Sequence, residues 1–394
     1  MGPIIIHGPK TENYDYDLGP VLLTDWYHET ATKLSQTAIT QQLGLPPVSP
    51  NGLINGKNIN TLGDDGVGER WTTTFRAGKK HLLRLVNTGT EVTFKFSIDG
   101  HKLRVVAMDW VPIQPYTTNT LFISIGQRYD VIVEANQTPK DYWMRATPQL
   151  TCLALNTQVF NIRGIVRYDA SSTETPKTLS GTIVDACIDE KLTDLIPYHE
   201  HVVGAPVQTV ELNPLTLADP EDSYALRWYS DKKSDQPYGP TFNNPAIQQI
   251  IKGPTTPLTT ELVPIELPGA KKWVYFIIQS QVPLTHPMHL HGHDVYTLAR
   301  GVGLYLPGTT KLNLENPTRR DTVLLPASGF LVLAFETDNP GIWLLHCHIA
   351  WHLHHGLAMT VVERREDIQT VYSGEMWKVN EVCADWKASG LPNE

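Results

Sequence analysis

Nine of the fifteen histidines lie in two short clusters, and one of the four cysteines lies within the second cluster. The first cluster covers residues 286–293, with the sequence HPMHLHGH. The second covers residues 346–357, with the sequence HCHIAWHLHHGL. Imidazole and thiolate groups are ligands of transition metals, so this concentration of both predicts metal chemistry.

The alternation of side chains along a strand decides which ligands of the second cluster can share an ion. In an extended segment His346 and His348 point to one face, and Cys347 points to the other. These three side chains can serve two metals, one on each side of the strand, but they cannot serve a single metal. His352 follows the end of the strand and can curl back to the Cys347 side.

The first cluster follows the same alternation. His289, His291 and His293 share one face of the segment, and His286 has the opposite parity. Matching parities between the two clusters therefore leaves His286 as the partner of the thiolate.

Matched parity predicts a site formed by Cys347, His286 and His352. Two imidazoles and one thiolate form the trigonal ligand set of a blue-copper centre, whose weak axial position tunes its potential. The opposite faces supply four more imidazoles for further copper ions, from His289, His291, His346 and His348.

Short strands are expected to position these ligands. Residues 82–86, 129–133, 273–278 and 330–335 are β-branched or aromatic segments, and turn residues separate them from their neighbours. Many short strands with regular turns predict an all-β fold of sandwiches or barrels. One helix is predicted over residues 31–42, and short helical turns are predicted near the C-terminus.

The length of 394 residues favours two domains. Residues 18–168 hold one set of strands, and residues 205–394 hold a second. Between them, residues 169–204 are rich in serine, threonine and proline, which predicts a linker on the surface.

Composition excludes several classes of partner and location. The net charge of −9 and a pI near 5.9 argue against a nucleic-acid partner, since no basic patch could neutralise phosphates. No apolar segment approaches the roughly 18 residues that a membrane span needs. The first residues have neither the basic region nor the apolar run of a signal peptide.

Three cysteines remain outside the histidine clusters. Cys152 and Cys187 are a plausible disulfide pair in an oxidising compartment, and Cys383 then has no partner.

The histidine clusters resemble the two C-terminal copper motifs of multicopper oxidases, specifically those of ascomycete-type fungal laccases. The similarity covers nearly the whole chain and includes residues 53–56, 126–131, 320–323 and 338–343. It implies two cupredoxin-like Greek-key β-sandwich domains, with copper ligands only in the domain at 205–394.

The resemblance also implies roles for individual residues. His286, Cys347 and His352 would bind type-1 copper, and Leu357 lies where the family places its axial residue. A leucine does not coordinate, so a relatively high potential is implied, and Met359 is expected to be a core residue. The remaining assignments are His289 to type-2 copper and His291, His346 and His348 to type-3 copper.

The activity implied by the resemblance is one-electron oxidation of a phenolic substrate at type-1 copper. Electrons would pass from Cys347 through the adjacent backbone to His346 and His348, and dioxygen would be reduced to water. Members of this family are typically secreted. Cys347 is therefore both a ligand and part of the electron route.

An acidic group is expected near type-1 copper to accept the phenolic proton. Similar laccases carry it just before a Leu-Ile-Asn-Gly segment, but residues 49–52 here contain no acid. Glu69 is the substitute that we predict, with Asp64 and Asp65 as nearby alternatives. A solvated acidic loop without a catalytic role is the competing interpretation.

The chain departs from the family pattern at its beginning. Two N-terminal histidine motifs are absent, and residues 1–17 resemble the end of the domain that carries them. Four of the eight imidazoles of the family's trinuclear cluster are present. We therefore expect a truncated chain that cannot reduce dioxygen without the missing domain, which also normally supplies the partner of Cys383. The alternatives are a type-1 electron-transfer protein and a silent fragment.

The other histidines are interpreted more plainly. His293, His354 and His355 are expected to support the ligands or lie on the surface, and His199 and His201 are not expected to bind metal. Asn136 begins a possible glycosylation sequon. His7, His28, His81 and His101 are expected to be structural.

Overall fold

The structure is a computed structural model that describes residues 2–40, 46–60, 66–153, 155–218, 227–229, 237–253, 255–267 and 269–390. It divides into two compact units. Unit 1 comprises Met1–Val202, Glu315–Leu324 and His348–Trp351, and unit 2 comprises Val203–Leu314, Leu325–Cys347 and His352–Glu394. Strands make up most of the regular structure in both, which confirms the predicted all-β class.

Among the described residues, the first thirteen strands belong to unit 1. They are β1 (Tyr16–Trp26), β2 (Asn51–Ile54), β3 (Ile59–Asn60), β4 (Val67–Gly68), β5 (Thr72–Thr74), β6 (Lys80–Asn87), β7 (Phe94–Ile98), β8 (Leu103–Met108), β9 (Val111–Thr118), β10 (Leu121–Ile123), β11 (Arg128–Glu134), β12 (Tyr142–Pro148) and β13 (Arg163–Arg167).

Unit 1 is a sandwich of two sheets with non-consecutive strand order. One sheet runs β2-β1-β6-β11-β8-β9, and the other runs β10-β7-β12-β13-β5. Their inner faces meet in an apolar core that includes Leu83, Phe94, Phe96 and Val131, all fully buried. Alternate residues of β7, β11 and β12 supply this core, as expected for strands with one buried face.

The remaining strands follow from residue 208 onward. They are β14 (Gln208–Ala218), β15 (Arg227–Tyr229), β16 (Pro264–Leu267), β17 (Trp273–Ser280), β18 (His286–Leu290), β19 (Val295–Val302), β20 (Thr318–Arg320), β21 (Thr322–Leu325), β22 (Gly329–Glu336), β23 (Gly341–Cys347) and β24 (Ala358–Glu363).

Unit 2 repeats the two-sheet arrangement. The order β15-β14-β17-β22-β19 forms one layer, and β16-β24-β23-β18 forms the other. Phe276 and Phe335 of the first layer lie with ring centroids 5.4 Å apart. Met359 of the second layer is fully buried, which agrees with its predicted core position.

Within the described ranges the α-helices are α1 (Ala31–Thr40), α2 (Ala246–Lys252), α3 (Ala350–His354), α4 (Arg365–Tyr372) and α5 (Met376–Ser389). Short 3₁₀ helices cover Leu150–Cys152 and Thr260–Leu262. Helix α1 starts where predicted, and residues 41 and 42 lie outside the described ranges. None of the helices in the described ranges combines the length and apolar character that crossing a bilayer requires.

Two sequence expectations find a definite outcome in unit 1. Cys152 and Cys187 form a disulfide with Cα atoms 5.0 Å apart. The stretch 169–204 has the irregular structure expected of a connection, but it is not purely a surface segment. Asp189 and Leu195 are buried, because this stretch contributes to the interior of unit 1.

Candidate metal centre

Two adjacent antiparallel strands of unit 2, β18 and β23, carry ligand candidates on both of their faces. In their register Met288 lies opposite Cys347, and His289 lies opposite His346. Opposed residues on paired strands point to the same side of the sheet. The cysteine and the preceding histidine therefore face opposite sides, as the sequence alternation predicts.

His286, Cys347 and His352 converge on one point on the Cys347 side. The two Nδ1 atoms are 3.2 Å apart. The Cys347 Sγ atom lies 3.7 Å from Nδ1 of His286 and 3.5 Å from Nδ1 of His352. These three side chains thus present one sulfur and two nitrogens as a small triangle.

The size of the triangle fits a shared metal ion. Bonds of about 2.0 Å to nitrogen and 2.3 Å to sulfur in a planar trigonal site would separate the nitrogens by about 3.5 Å and each nitrogen from sulfur by about 3.7 Å. The observed separations lie within a few tenths of an ångström of these values. The donor set is also the one that selects blue copper rather than a hard cation.

Both imidazoles of the triangle are held in the neutral form that metals bind. Burial lowers the pKa of His286 to about 3. The pKa of His352 is also lowered well below its ordinary value by burial, with the neighbouring His286 adding to the effect. The Trp228 ring packs against both, with its centroid 4.8 Å from that of His286 and 4.7 Å from that of His352.

The backbone that follows α3 is hydrogen bonded both to His352 and to Cys347, which keeps the two residues close together. The Leu357 amide donates to the His352 carbonyl at 2.9 Å, and the Leu357 carbonyl accepts from the Cys347 amide at 3.1 Å. Gly356 makes this turn possible with a φ of +103°, and a Cβ there would lie 2.6 Å from Pro237. Leu357 is fully buried, and its side chain offers only carbon atoms to its surroundings.

Three histidines form a separate cluster on the opposite face of the same strands. The ring centroid of His291 lies 4.8 Å from that of His289 and 5.1 Å from that of His346. Nε2 of His291 and Nε2 of His346 are 3.1 Å apart. Because Nδ1 of His346 lies 2.8 Å from the Cys347 carbonyl, which can only accept, the neutral ring keeps its lone pair on Nε2.

His348 lies in unit 1, where it packs closely against the loop before β11. A Cβ on Gly126 would come within 2.5 Å of the His348 ring, and Gly126 has a φ of +80°. Only a glycine therefore lets the loop approach this ring. The sequence predicts a ligand role for His348, and that role stays a prediction.

The predicted proton acceptor lies on the surface of unit 1. The Glu69 side chain is 72% exposed, and Oε1 lies 2.8 Å from Nζ of Lys57. Asp64 and Asp65, the alternatives, lie outside the described residues.

His199 and His201 are exposed, and His355 is buried with its pKa lowered to about 4 by that burial.

Sequence reasoning missed two residues of the unit 2 site. Trp228 packs against both imidazoles of the triangle. No sequence motif near residue 228 predicts that contact. Glu363 is fully buried and pairs with His293, their Oε2 and Nε2 atoms being 2.7 Å apart. A lone acid at the end of the apolar segment 358–362 was the signal that could have identified it.

Comparisons with known proteins agree with this geometry. Two family models, both described as multicopper oxidase, match residues 17–171 and 231–367. Laccase-1 of Botryotinia fuckeliana is 40% identical over 98% of this chain, and Laccase-3 of the same fungus is 40% identical over 91%. The chain spans 66% of the length of Laccase-1 and 81% of Laccase-3.

A solved structure shows the same fold. The crystal structure of the laccase from Botrytis aclada matches with a TM-score of 0.92 and 38% identity, covering 100% of this chain and 73% of that one. The match includes the residues of both units.

Proposed function

Because the chain belongs to the multicopper oxidase family, we propose that it contributes the one-electron oxidation of phenols to laccase-type chemistry, in which further imidazole ligands complete the site that reduces dioxygen to water. The observation that carries the proposal is the converging triangle of one sulfur and two imidazole nitrogens. Copper bound there would accept single electrons from the substrate. The family binds copper, and the ligand types in this chain suit that metal.

His286, Cys347 and His352 are proposed as the type-1 ligands. Their role in the chain is to hold three donor atoms in a water-poor pocket, which favours the neutral imidazoles and shields the thiolate. Leu357 is proposed to face the axial position without coordinating. Because a leucine side chain has no donor atom, copper held by the three ligands would gain no further donor from it and would have a relatively high potential.

The second set of imidazoles is proposed to serve oxygen reduction. His289 is assigned to type-2 copper, and His291, His346 and His348 are assigned to type-3 copper. Cys347 is covalently adjacent to His346 and His348, so a fixed and short route joins the two sets of ligands. Four imidazoles are half of the family's usual eight, so oxygen reduction needs further ligands beyond these four.

Glu69 is proposed as the group that takes the phenolic proton. Its carboxylate is open to solvent, and solvent access would let the proton leave after transfer. If Glu69 has this role, Glu69→Gln lowers the rate with phenols about 100-fold, the lower end of general-base effects. A Lys57→Met variant, which removes only its ion-pair partner, is the matched control.

The proposal includes an extracellular location and small-molecule partners, namely a phenol and dioxygen. The Cys152–Cys187 disulfide supports an oxidising compartment. Asn136 is exposed, as a glycosylated residue must be.

Anaerobic reconstitution with copper tests the proposal. We expect a blue thiolate-to-copper absorption band that a methoxyphenol bleaches with formation of a phenoxyl radical. Absence of the band after copper loading would contradict the assignment of the triangle.

A second candidate function follows from the four imidazoles, which are fewer than the family uses. It is a type-1 electron-transfer protein that binds one copper ion and does not consume oxygen. Copper stoichiometry and oxygen uptake, measured on the same sample, decide between the two. Four copper ions with oxygen uptake support the oxidase, and one ion with a blue band but no uptake supports electron transfer.

A further inference from the structure

The turn that follows β18 carries His291 and is tightly constrained on its outer side. The His291 amide donates to the Leu344 carbonyl at 2.9 Å. The next residue, Gly292, has a φ of +78°, and a Cβ there would come within 2.5 Å of the Trp343 indole. The indole thus lies directly on the backbone of the turn.

Glu363 contacts the same turn from the end of β24. Its side chain is fully buried, and both of its oxygens are engaged. Oε2 lies 2.7 Å from Nε2 of His293, and Oε1 accepts from the Asn339 amide at 2.8 Å. Burying a carboxylate without such partners costs free energy. The two hydrogen bonds therefore hold His293 and the Asn339 amide in place.

Asn339 closes the arrangement. Its Nδ2 donates to the Gly292 carbonyl at 2.9 Å, and its own carbonyl accepts from Nε1 of Trp343 at 2.8 Å. Hydrogen bonds therefore run from Glu363 to Asn339, from Asn339 to Gly292, and along the chain through His293 back to Glu363. The ring of contacts fixes two residues immediately after His291.

We infer that Glu363 is a positioning residue, which through His293 and Asn339 fixes the turn that aims His291 at His346. The inference rests on the proposed function of the cluster of His289, His291 and His346. Nε2 of His291 lies 3.1 Å from Nε2 of His346, a separation that a small shift of the turn would change. Groups outside the ligand shell that orient ligands typically change metal affinity about 10–100-fold when mutated.

The first test measures the turn without any metal. Hydrogen–deuterium exchange of the metal-free chain is compared for the His291 amide in the parent and in Glu363→Ala. We expect exchange at His291 to rise about tenfold or more, because the turn opens locally. Val362→Ala is the matched control, since Val362 lies next to Glu363 on the same strand but packs in the apolar cluster with Ile250 and Ile368.

The second test measures metal affinity. Cu²⁺ is titrated into the Cys347→Ser chain, which removes the thiolate, and binding to the imidazole cluster is followed by electron paramagnetic resonance. Glu363→Ala in this background is expected to weaken Cu²⁺ binding about 10–100-fold. Glu363→Gln can still accept from Asn339 and donate to His293, so it is expected to restore affinity to within about threefold of the parent.

The outcomes separate this inference from the proposed function. If the Cys347→Ser chain binds Cu²⁺ but Glu363→Ala matches Val362→Ala in both measurements, the positioning role is wrong. If that chain binds no Cu²⁺ at the cluster, the proposed metal role of the cluster fails, and the exchange measurement alone still decides whether Glu363 fixes the turn.

Discussion

One buried polar group in unit 1 and one in unit 2 are arranged in opposite ways. In unit 1 the buried Arg320 guanidinium donates from Nε to Asp109 at 2.8 Å and from Nη1 to the Tyr129 hydroxyl at 3.0 Å. In unit 2 the triangle of His286, Cys347 and His352 brings together three atoms that all accept when deprotonated. The first arrangement pairs a buried charge with carboxylates of the same unit, whereas the second offers donor atoms that suit a metal cation.

This difference distinguishes structural polar groups from functional ones. A buried cation with carboxylate partners satisfies the rule that buried charges are paired. Converging lone pairs repel each other unless a proton or a metal lies among them. Burial alone therefore does not mark a site, but a buried convergence of donor atoms that one metal ion can share does.

The largest expected effect comes from removing the sulfur. Cys347→Ser should abolish the blue band completely, because the band arises from the thiolate. Absorption and copper content of the reconstituted chain provide the measurement. Cys383→Ser is the control for a free cysteine elsewhere, and it should leave the band intact. A band that survives in Cys347→Ser would contradict the assignment.

Breaking the charge network of unit 1 should be costly whether or not copper is present. Arg320→Ala leaves Asp109 and Asp189 with a buried partner removed, and we expect a loss of about 3–5 kcal/mol in the free energy of unfolding. Urea titrations with and without copper check this value. Lys33→Ala removes the exposed pair with Glu29 and should cost only about 0.3–0.5 kcal/mol. Equal losses in the two variants would show that burial adds nothing to the contribution of the Arg320 network to stability.

The contact between Gly126 and His348 can be separated from backbone strain. Gly126→Ala and Gly78→Ala both force alanine into a positive φ, of +80° and +72°, but only the first meets a ring. Gly78→Ala should cost about 1 kcal/mol, and Gly126→Ala should cost about 1–3 kcal/mol more from overpacking. Thermal unfolding of both variants measures the difference. Equal losses of stability in the two variants would show that the His348 ring moves aside at no measurable cost.

The smallest expected effect concerns acid. Burial lowers the pKa of His101 in unit 1, whose Nδ1 lies 2.8 Å from the Asp99 carbonyl and Nε2 2.8 Å from the Tyr168 hydroxyl. The unfolded chain therefore takes up a proton first, near pH 6.5, and the stability that neutral His101 contributes is lost as the pH falls from there through its folded pKa. His101→Gln should reduce the loss between pH 7 and pH 5 in urea titrations. An unchanged pH slope would contradict this account.

The convergence of His286, Cys347 and His352 could be predicted from the sequence because its main rule is local, and their metal role stays a prediction. Cys347 and His346 are neighbours, and His286 and His289 are three positions apart, so strand alternation alone sorts them onto two faces. The helix start at residue 31 and the disulfide also follow from local or compositional signals. The predicted division into domains stays a prediction.

Contacts made by the fold could not be predicted in this way. Trp228 and Glu363 lie 58 and 70 residues from the histidines that they contact, His286 and His293, and single-sequence periodicity contains no information on such pairs. The buried residues Asp189 and Leu195 were missed for the same reason, since a stretch rich in serine and proline gives no sign of burial. Tertiary packing decides these positions.

The central claim is that one thiolate and two imidazoles share an ion, while the histidine next to the thiolate faces elsewhere. A crystal structure of the copper-loaded chain, with anomalous diffraction at the copper edge, tests it most directly. The account predicts a copper ion bonded to Cys347 Sγ and to Nδ1 of both His286 and His352. An ion shared by Cys347 and His346, or a Cys347 thiolate without any copper in a loaded crystal, would contradict it.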